Sequence, residues 1–435
     1  MHVARVLKHF FPQLNDWFDE VPEPRNPRLL VYHRRHLIWQ GLVMFLLHLA
    51  SRHQWSLERF SAGLTRNLTR LAQTAEDTLA HSDTLVRYLV RVPAAAFAEL
   101  IARLLHRLIR MRTLDGFRVQ GHLLVAVDGT EIWSGSRPHC PFCLRRRVGK
   151  DGLQYYHATL EAKLVTDRGL ALSMATEFVQ NDEQRATEEL SEEQRKQDCE
   201  RKAFPRLAHQ LARGYPQTAI CLLLDALHAT QPTIGRCEKH GWKFIVTFKE
   251  GSAPACWAEA VALAKLQASH HPPRKVRRPD GTRAAFTWAT DVPFGPYRLG
   301  VIWCHEVLPD GTERTFAWLT NFVVDAEHVV ELADGGGRLR WKIENEGFRE
   351  QKHGGFALEH VYCRYPTAAQ SLYRLLQIAH LFQQLVWEGD VLKGLKPALK
   401  TVRNFVRRLT AALHHATIPP ADQMPPLGQV RWYSG

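Results

Sequence analysis

The stretch RLRWKIENEGFREQKHGG, residues 338–355, has the charge pattern of a helix that begins near Arg340 and ends at the pair Gly354-Gly355. It carries a carboxylate, Glu344, close to its beginning. One carboxylate does not make a metal site, so this helix needs acidic partners from elsewhere in the chain.

Two apolar runs far upstream each close on an aspartate. HLLVAVD at 122–128 ends at Asp128, and AICLLLD at 219–225 ends at Asp225. Runs of this length and composition predict buried strands, which places both aspartates at strand ends. Together with Glu344 they predict three carboxylates in one place. Such a group favours a divalent cation over an empty site, because the charges would otherwise repel one another.

The composition predicts a large, basic, globular protein. The chain has 435 residues, a formal net charge of +13 from 57 Lys and Arg against 44 Asp and Glu, and 45% hydrophobic residues. A chain of this length is expected to form about two to four domains. The positive charge favours a polyanionic partner, with nucleic acid ahead of a membrane surface.

No segment predicts export or membrane insertion. The first residues lack the apolar core of a secretory signal, and the longest apolar run, 41–50, is too short for a membrane span and predicts a buried helix. Eight scattered cysteines are typical of reduced thiols in a cytosol. We expect a cytoplasmic, nucleoid-associated protein of bacterial type with no membrane partner.

Residues 1–115 are predicted to form a helical N-terminal domain. Apolar residues recur there at intervals of three and four, and arginines stud its early part. The predicted helices are 37–50, 55–63, 82–91 and 94–112. A basic helical module of this kind is compatible with binding to DNA ends.

Residues 116–250 are predicted to form the first part of an α/β core. The predicted strands are 121–128, 155–165, 170–179, 218–225 and 242–249, with helices at 186–213 and 229–240. Three strands followed by helix, strand, helix and strand form the order expected of an RNase H-like core.

The remaining sequence divides into three parts. Residues 251–335 predict a β-rich insertion, and 336–390 predict helices that close the core. Residues 391–435 form a basic C-terminal tail. The predicted insertion strands are 284–290, 296–305 and 313–323, after a basic proline-rich loop at 270–283, and the predicted helices are 338–352, 366–387 and 391–415. The expected fold class is therefore α/β, with a catalytic core that the insertion interrupts.

Short motifs surround each of the three carboxylates: Val127-Asp-Gly-Thr130, Leu224-Asp-Ala-Leu227 and Arg340-Trp-Lys-Ile-Glu-Asn-Glu-Gly-Phe348. Lys196-Gln-Asp-Cys-Glu200 and Gly354-Gly-Phe-Ala-Leu-Glu-His360 accompany them. In type and order these motifs resemble the DDE transposases of bacterial insertion sequences, in the insertion-sequence-four superfamily with a β-rich insertion before the glutamate. The resemblance covers roughly residues 120–385.

The resemblance implies an RNase H-like fold and metal-dependent cleavage at transposon ends followed by strand transfer. It makes Asp128, Asp225 and Glu344 the catalytic residues and the ligands of two Mg²⁺ (or Mn²⁺) ions. The implied partners are double-stranded DNA, as terminal inverted repeats and as target, and a second copy of the chain on that DNA. Two alternatives are an inactive or domesticated DNA-binding relative and a metal nuclease that only hydrolyses.

The resemblance also implies DNA contacts from the glutamate helix, with Arg340 next to the cleaved end and Arg349 and Lys352 further along. Two positions depart from the family pattern. Gly337 stands where the family has a tyrosine, and Gln351 stands where it has a lysine, with Lys352 one step later. Because a helix turns about 100° per residue, Lys352 takes the lysine's role only where a bulge absorbs the shift. Cleavage through a hairpin stays open for the same reason.

Simpler interpretations compete at each carboxylate. A strand-ending aspartate is often only a turn former or a helix cap. Glu346 lies about 200° around a helix from Glu344, so one of the two faces the site, and the motif favours Glu344.

The segment His139-Cys-Pro-Phe-Cys143 offers half of a zinc site. A structural zinc ion at Cys140 and Cys143 would need further ligands, for which His139 and His157 are available. The interpretation that we favour is a pair of reduced loop cysteines. The chain has neither a P-loop nor a GxGxxG motif, which argues against an ATP-driven motor or a dehydrogenase.

Three basic runs fit either a phosphate track or a solvated surface: 145–147, 274–278 and 393–408. Trp303 and Trp318 in the insertion are expected to pack in a sheet core, with stacking on a flipped base as the alternative.

Overall fold

The two apolar runs that lead to the aspartates form neighbouring parallel strands in the middle of a mixed sheet. The computed structural model describes residues 2–149, 152–181, 198–420, 423–428, 430 and 432. Strand β1 pairs with β5 in register from Leu123 opposite Ile220 to Ala126 opposite Leu223. The side chains of β5 are buried on both faces, as expected of a central parallel strand.

Ten strands of the described chain belong to this sheet. They are β1 (Leu123–Gly135), β2 (Leu144–Val148), β3 (Gly152–Val165), β4 (Ala171–Val179), β5 (Ile220–Leu224), β6 (Lys243–Thr247), β7 (Arg274–Arg277), β8 (Arg283–Phe294), β9 (Tyr297–Val307) and β10 (Glu313–Thr320). The strand order is β2-β3-β1-β5-β6-β10-β9-β8-β7, with β4 also beside β3. Only β1, β5 and β6 run parallel to one another. The predicted α/β class is confirmed at this level.

The strands of 251–335 continue the same sheet. Strand β10 pairs with β6 from Trp318 opposite Thr247 onwards, and β9, β8 and β7 follow as antiparallel neighbours. Trp318 is buried and Trp303 packs edge-to-face on Trp257, so both tryptophans lie in the core, as expected.

Fourteen α-helices surround the sheet in the described residues. They are α1 (His2–Phe10), α2 (Leu14–Glu20), α3 (Arg34–Leu46), α4 (Arg52–Glu58), α5 (Ala62–Ala72), α6 (Ser82–Arg91), α7 (Ala95–Arg110), α8 (Glu200–Gly214), α9 (Gln231–Lys239), α10 (Pro254–Gln267), α11 (Glu350–His353), α12 (Pro366–Glu388), α13 (Lys396–Leu399) and α14 (Val402–His415). The N-terminal helices α3 and α6 pack directly on α12, and one continuous apolar core joins them to the sheet. Among these helices, none is long and apolar enough to cross a membrane.

Several predicted boundaries were wrong, each for a local reason. The helix predicted at 55–63 is two helices, α4 and α5, because Ser61 begins a new one by accepting a hydrogen bond from the Leu64 amide. Helix α10 was missed within the segment interpreted as β-rich. Of the helix predicted at 186–213, the part at 200–213 is present as α8, and residues 186–197 lie outside the described residues.

Two further corrections concern the C-terminal third. Residues 331–353 are helical but irregular, with wide π turns at Glu331–Gly336 and Ile343–Arg349 that flank a 3-10 segment, Gly337–Trp341. We call 331–353 the irregular helix. The helix predicted at 391–415 is broken at Lys400, whose φ of 61° ends α13 before α14 begins.

Candidate active site

Asp128 and Asp225 are brought level by the register of β1 and β5. The last paired residues are Ala126 and Leu223, and each aspartate lies two residues further along its own chain. Neighbouring strands lie about 4.8 Å apart, and residues two apart share a face. The sheet therefore directs both aspartates to the same face at the same height.

The prediction that Asp128 ends its strand was wrong, because β1 continues to Gly135 by pairing with β3. Asp128 itself lies opposite Glu161 of β3. Asp225 does end β5, and its Oδ1 accepts a hydrogen bond from the Leu227 amide at 3.0 Å. Asp225 therefore caps a short helical turn, which fixes its carboxylate at the strand end.

The irregular helix brings Glu344 to Asp128. Its apolar side chains Ile343 and Phe348 pack on the face of the sheet that carries Ala126 and Leu223. Burial raises the pKa of Asp128 to about 7 against the opposing charge of Arg340, and the charge and hydrogen-bonding capacity of Glu344 add to the shift. The two most distant of the predicted residues thus lie close enough for Glu344 to act on the pKa of Asp128.

Arg340 lies inside this site. Its Nη1 donates to Oδ2 of Asp128 at 3.0 Å, and the backbone amide of Gly129 donates to Oδ1 at 2.9 Å. The guanidinium is 11% exposed, and its Nε is buried without a hydrogen-bond partner. The family motif predicts that this arginine contacts DNA, and the structure gives it an intramolecular carboxylate partner.

The choice between Glu344 and Glu346 follows from their partners. Nζ of Lys342 donates to Oε1 of Glu346 at 2.6 Å, one turn back along the irregular helix. Glu344 instead lies near Asp128, whose pKa its charge raises. These different partners favour Glu344 over Glu346, and its role in the site stays a prediction.

The other two DNA-contact candidates have different surroundings. Arg349 is exposed. Lys352 pairs with Glu359, with 2.8 Å between Nζ and Oε1. Gln351, at the family's lysine position, is fully buried, where its Nε2 donates to Gln377 at 2.8 Å. A π turn precedes these residues, and such a turn is the kind of bulge that shifts a helical face by one residue.

Packing explains why a tyrosine is absent at Gly337. A Cβ built on Gly337 would lie 2.4 Å from Nε1 of Trp318, which is buried beneath the irregular helix. The indole therefore fills the space that a side chain would need. Glycine at position 337, where the transposases that the sequence resembles have a tyrosine, therefore fits the presence of Trp318 on β10.

Gly337→Ala is expected to lower the free energy of unfolding by about 1–3 kcal/mol, because the added methyl group overlaps the rigid Trp318 ring. Gly335→Ala is the matched control, since its Cβ meets Glu331 and Val119 only at 3.6 and 3.8 Å. Urea unfolding measures both. Equal stabilities of the two variants would contradict the packing argument.

A fourth carboxylate, Glu200, approaches from the opposite face of the sheet, at the first turn of α8. A Cβ on Gly129 would lie 2.0 Å from its Oε1, so a larger residue there would force the Glu200 side chain to move. Burial raises the pKa of Glu200, and the charge of Asp225 adds to the shift. Asp225 also acts on His228, whose pKa is lowered chiefly by burial. The motif Lys196–Glu200 contained this signal, but sequence reasoning did not assign Glu200 to the site.

A network of buried polar side chains lies between the sheet and the irregular helix. Glu161 and Lys163 on β3 are both fully buried, with 3.5 Å between Oε2 and Nζ. Lys163 donates to Gln377 of α12, and its stem would lie 3.1 Å from a Cβ on Gly347. Sequence analysis did not single out this pair. The alternation of polar and apolar residues along β3 did not show that both faces of the strand are buried.

Asp128 is expected to make the metal-free protein less stable as the pH rises. Its folded pKa of about 7 lies above the ordinary value near 3.9, so the folded chain holds a proton that the unfolded chain releases. The resulting stabilisation is present below about pH 4 and is lost as the pH rises through about 7. Chelator-treated wild type should therefore lose a few kcal/mol more than Asp128→Asn between about pH 5 and about pH 8 in urea unfolding. Parallel pH profiles would contradict this.

The donor set of Asp128, Asp225 and Glu344 consists of carboxylate oxygens, which suit Mg²⁺ or Mn²⁺. The pKa of Asp128 is raised because burial disfavours its negative charge and Arg340 compensates only part of that effect. A bound divalent cation would stabilise the charged carboxylate. These residues therefore fit the implied ions. Among the described residues, the group whose ligand atoms already lie together is a different one, His139, Cys140, Cys143 and His157, with all four ligand atoms within 4.8 Å of one another. The three carboxylates do not form such a group in the described chain.

The sequence was compared with known protein families and with curated proteins. No known protein family's sequence profile matches the chain, and no curated protein matches its sequence significantly.

Proposed function

We propose that this protein is a DDE transposase that cuts DNA at the ends of its element and joins them to target DNA. The observation that carries the proposal is the proximity of Glu344 to Asp128, together with the register that sets Asp128 level with Asp225. Both aspartates follow the last paired residues of the parallel strands β1 and β5, on the edge where α/β sheets commonly bind their ligands.

The strand order supports the same proposal. Strands β4, β3, β1, β5 and β6 lie side by side, the first three antiparallel and the last three parallel. This is the order expected of an RNase H-like core. The first aspartate lies on its first strand and the second follows β5, while β7 to β10 form the insertion that extends the sheet before the glutamate.

Asp128, Asp225 and Glu344 would hold the Mg²⁺ or Mn²⁺ ions. When bound, these ions activate the attacking oxygen and stabilise the leaving oxygen of a phosphodiester. The chain's own groups set the geometry: Leu227 fixes the Asp225 carboxylate through its amide, and Arg340 orients Asp128. In the reaction, water attacks the phosphodiester at the element end and releases a 3′-OH, which then attacks a phosphodiester of the target.

The proposed partner is double-stranded DNA, as inverted repeats and as target. The net charge of +13 supports it, and Arg349 is an exposed cation close to the site. The N-terminal helices and the basic tail would bind the repeats, and two chains would assemble on the DNA because two ends must be joined together. The proposed location is the bacterial cytoplasm, at the nucleoid.

The test is incubation of the full chain with Mg²⁺ or Mn²⁺, labelled DNA that carries the inverted repeats flanking its gene, and a supercoiled target plasmid. We expect metal-dependent 3′-OH ends and joined products, with scrambled-end DNA as the control. Tight binding without cleavage would leave a DNA-binding relative. Cleavage without joining would leave a hydrolytic nuclease.

A further inference from the structure

The loop between β1 and β2 places two cysteines and a histidine next to a histidine of β3. The Sγ atoms of Cys140 and Cys143 lie 3.9 Å apart, and Nε2 of His157 lies 3.2 Å from the first and 3.3 Å from the second. The ring of His139 stacks on that of His157 at 4.8 Å. One ligand atom from each of the four residues falls within 4.8 Å of all the others.

These distances match a tetrahedral metal site. Two sulfurs at about 2.3 Å from a zinc ion lie about 3.8 Å from each other, and a sulfur and a nitrogen lie about 3.6 Å apart. The observed separation of 3.9 Å between the sulfurs is close to the first value and far from the roughly 2.05 Å of a disulfide. The geometry therefore favours a shared ion over a covalent bond.

The environment of the four groups suits a metal as well. Nδ1 of His139 is buried and has no hydrogen-bond partner. Cys143 is buried and Cys140 half-buried, in a pocket whose lining is largely apolar and also includes Arg364.

We propose that Cys140, Cys143, His139 and His157 bind one zinc ion in a closed structural site. Four protein ligands leave no open position for a substrate, so the ion holds the fold and does no chemistry. On binding, the two thiols release their protons and two S–Zn and two N–Zn bonds form. This inference stands apart from the proposed transposase activity.

The site would fix the hairpin that extends beyond the catalytic end of the sheet. Strand β1 carries Asp128 and continues to Gly135, and the loop with three of the ligands leads from there into β2, whose arginines are exposed. Through His157, the ion would tie this loop to β3, which pairs with both β1 and β2. Removal of the ion should therefore loosen β2 first.

The zinc content of the full chain, purified without an affinity tag or chelator, tests the proposal by mass spectrometry of the metals. We expect about one zinc per wild-type chain after dialysis. Cys143→Ser and His157→Ala should lose it. Cys256→Ser is the matched control, since Cys256 is also a buried thiol but lies on α10, and it should keep the ion.

Two results would overturn the proposal: a wild-type chain that takes up no zinc on refolding with zinc chloride, or a Cys143→Ser variant that keeps its zinc. Asp128→Asn distinguishes the two metal sites, because zinc that leaves with this substitution belongs to the carboxylates and counts against the proposal. Replacement by Co²⁺ gives a second readout, in which thiolate charge-transfer absorption should be present in wild type and absent in Cys143→Ser and Cys140→Ser. None of these measurements needs DNA, so a failure of the transposase proposal leaves them interpretable.

Discussion

Asp128→Asn and Glu344→Gln should each abolish metal-dependent cleavage and joining of element-end DNA, with a loss of about three orders of magnitude or more. Each substitution removes one anionic ligand from a shared site while it keeps the shape of the side chain. Bound ions contribute several kcal/mol of transition-state stabilisation, and each 1.4 kcal/mol is about tenfold in rate. Gel separation of labelled products measures the effect.

Glu346→Gln is the matched control for this prediction. It makes the same chemical change two residues away, on a side chain whose carboxylate pairs with Lys342. We expect it to retain activity within about tenfold, since this carboxylate is paired with Lys342 and, on our assignment, is not a metal ligand. DNA binding by all three variants should match wild type. If Glu346→Gln lost activity and Glu344→Gln kept it, the site would have been assigned to the wrong glutamate.

Lys163→Met should lower the free energy of unfolding by about 3–5 kcal/mol, because it leaves the Glu161 carboxylate buried without its cation. Methionine keeps an unbranched stem beneath Gly347, so the loss comes from the charge and not from a cavity. The remaining hydrogen-bond partners of Glu161 are hydroxyl groups, among them Tyr373 at 3.0 Å, and the nearby guanidinium of Arg374 is a second cation that its charge affects. Urea unfolding followed by circular dichroism measures the change.

Arg52→Met provides the comparison for Lys163→Met. Arg52 pairs with Asp83 at 2.8 Å, which is shorter than the buried pair, yet the two side chains are 31% and 56% exposed. We expect a loss of no more than about 1 kcal/mol, because water solvates both charges. The double substitution Glu161→Gln with Lys163→Met should recover part of the stability. If Lys163→Met and Arg52→Met lowered the free energy of unfolding equally, burial would not be what makes the loss of an ion-pair partner destabilising.

The buried pair also bears on the site. The network that contains Lys163 continues through Gln377 and Gln351 to His380, and Nε2 of His380 lies 3.0 Å from Oε2 of Glu350. It therefore holds the end of the irregular helix that follows Glu344. Lys163 is fully buried, so we expect it only to position the irregular helix and not to contact DNA or metal. Its substitution should raise the metal concentration needed for activity, and the reaction products should stay the same.

The sequence by itself determined the strands around the site, and it singled out three carboxylates whose role stays a prediction. Buried parallel strands have continuous apolar side chains, and HLLVAVD and AICLLLD have that pattern. Local signals of this kind depend on a few neighbouring residues, which is why helix α6 was predicted at its observed bounds, Ser82–Arg91.

The tertiary structure alone decided how these parts meet. The register of β1 against β5 sets Asp128 level with Asp225, and the irregular helix lies with Gly337 against Trp318 of β10. Glu200 approaches Gly129 from the opposite face of the sheet. The four possible zinc ligands likewise meet only when β3 returns beside the loop that follows β1. Contacts between residues distant in sequence depend on packing that no local pattern encodes, so they appear only in the folded chain.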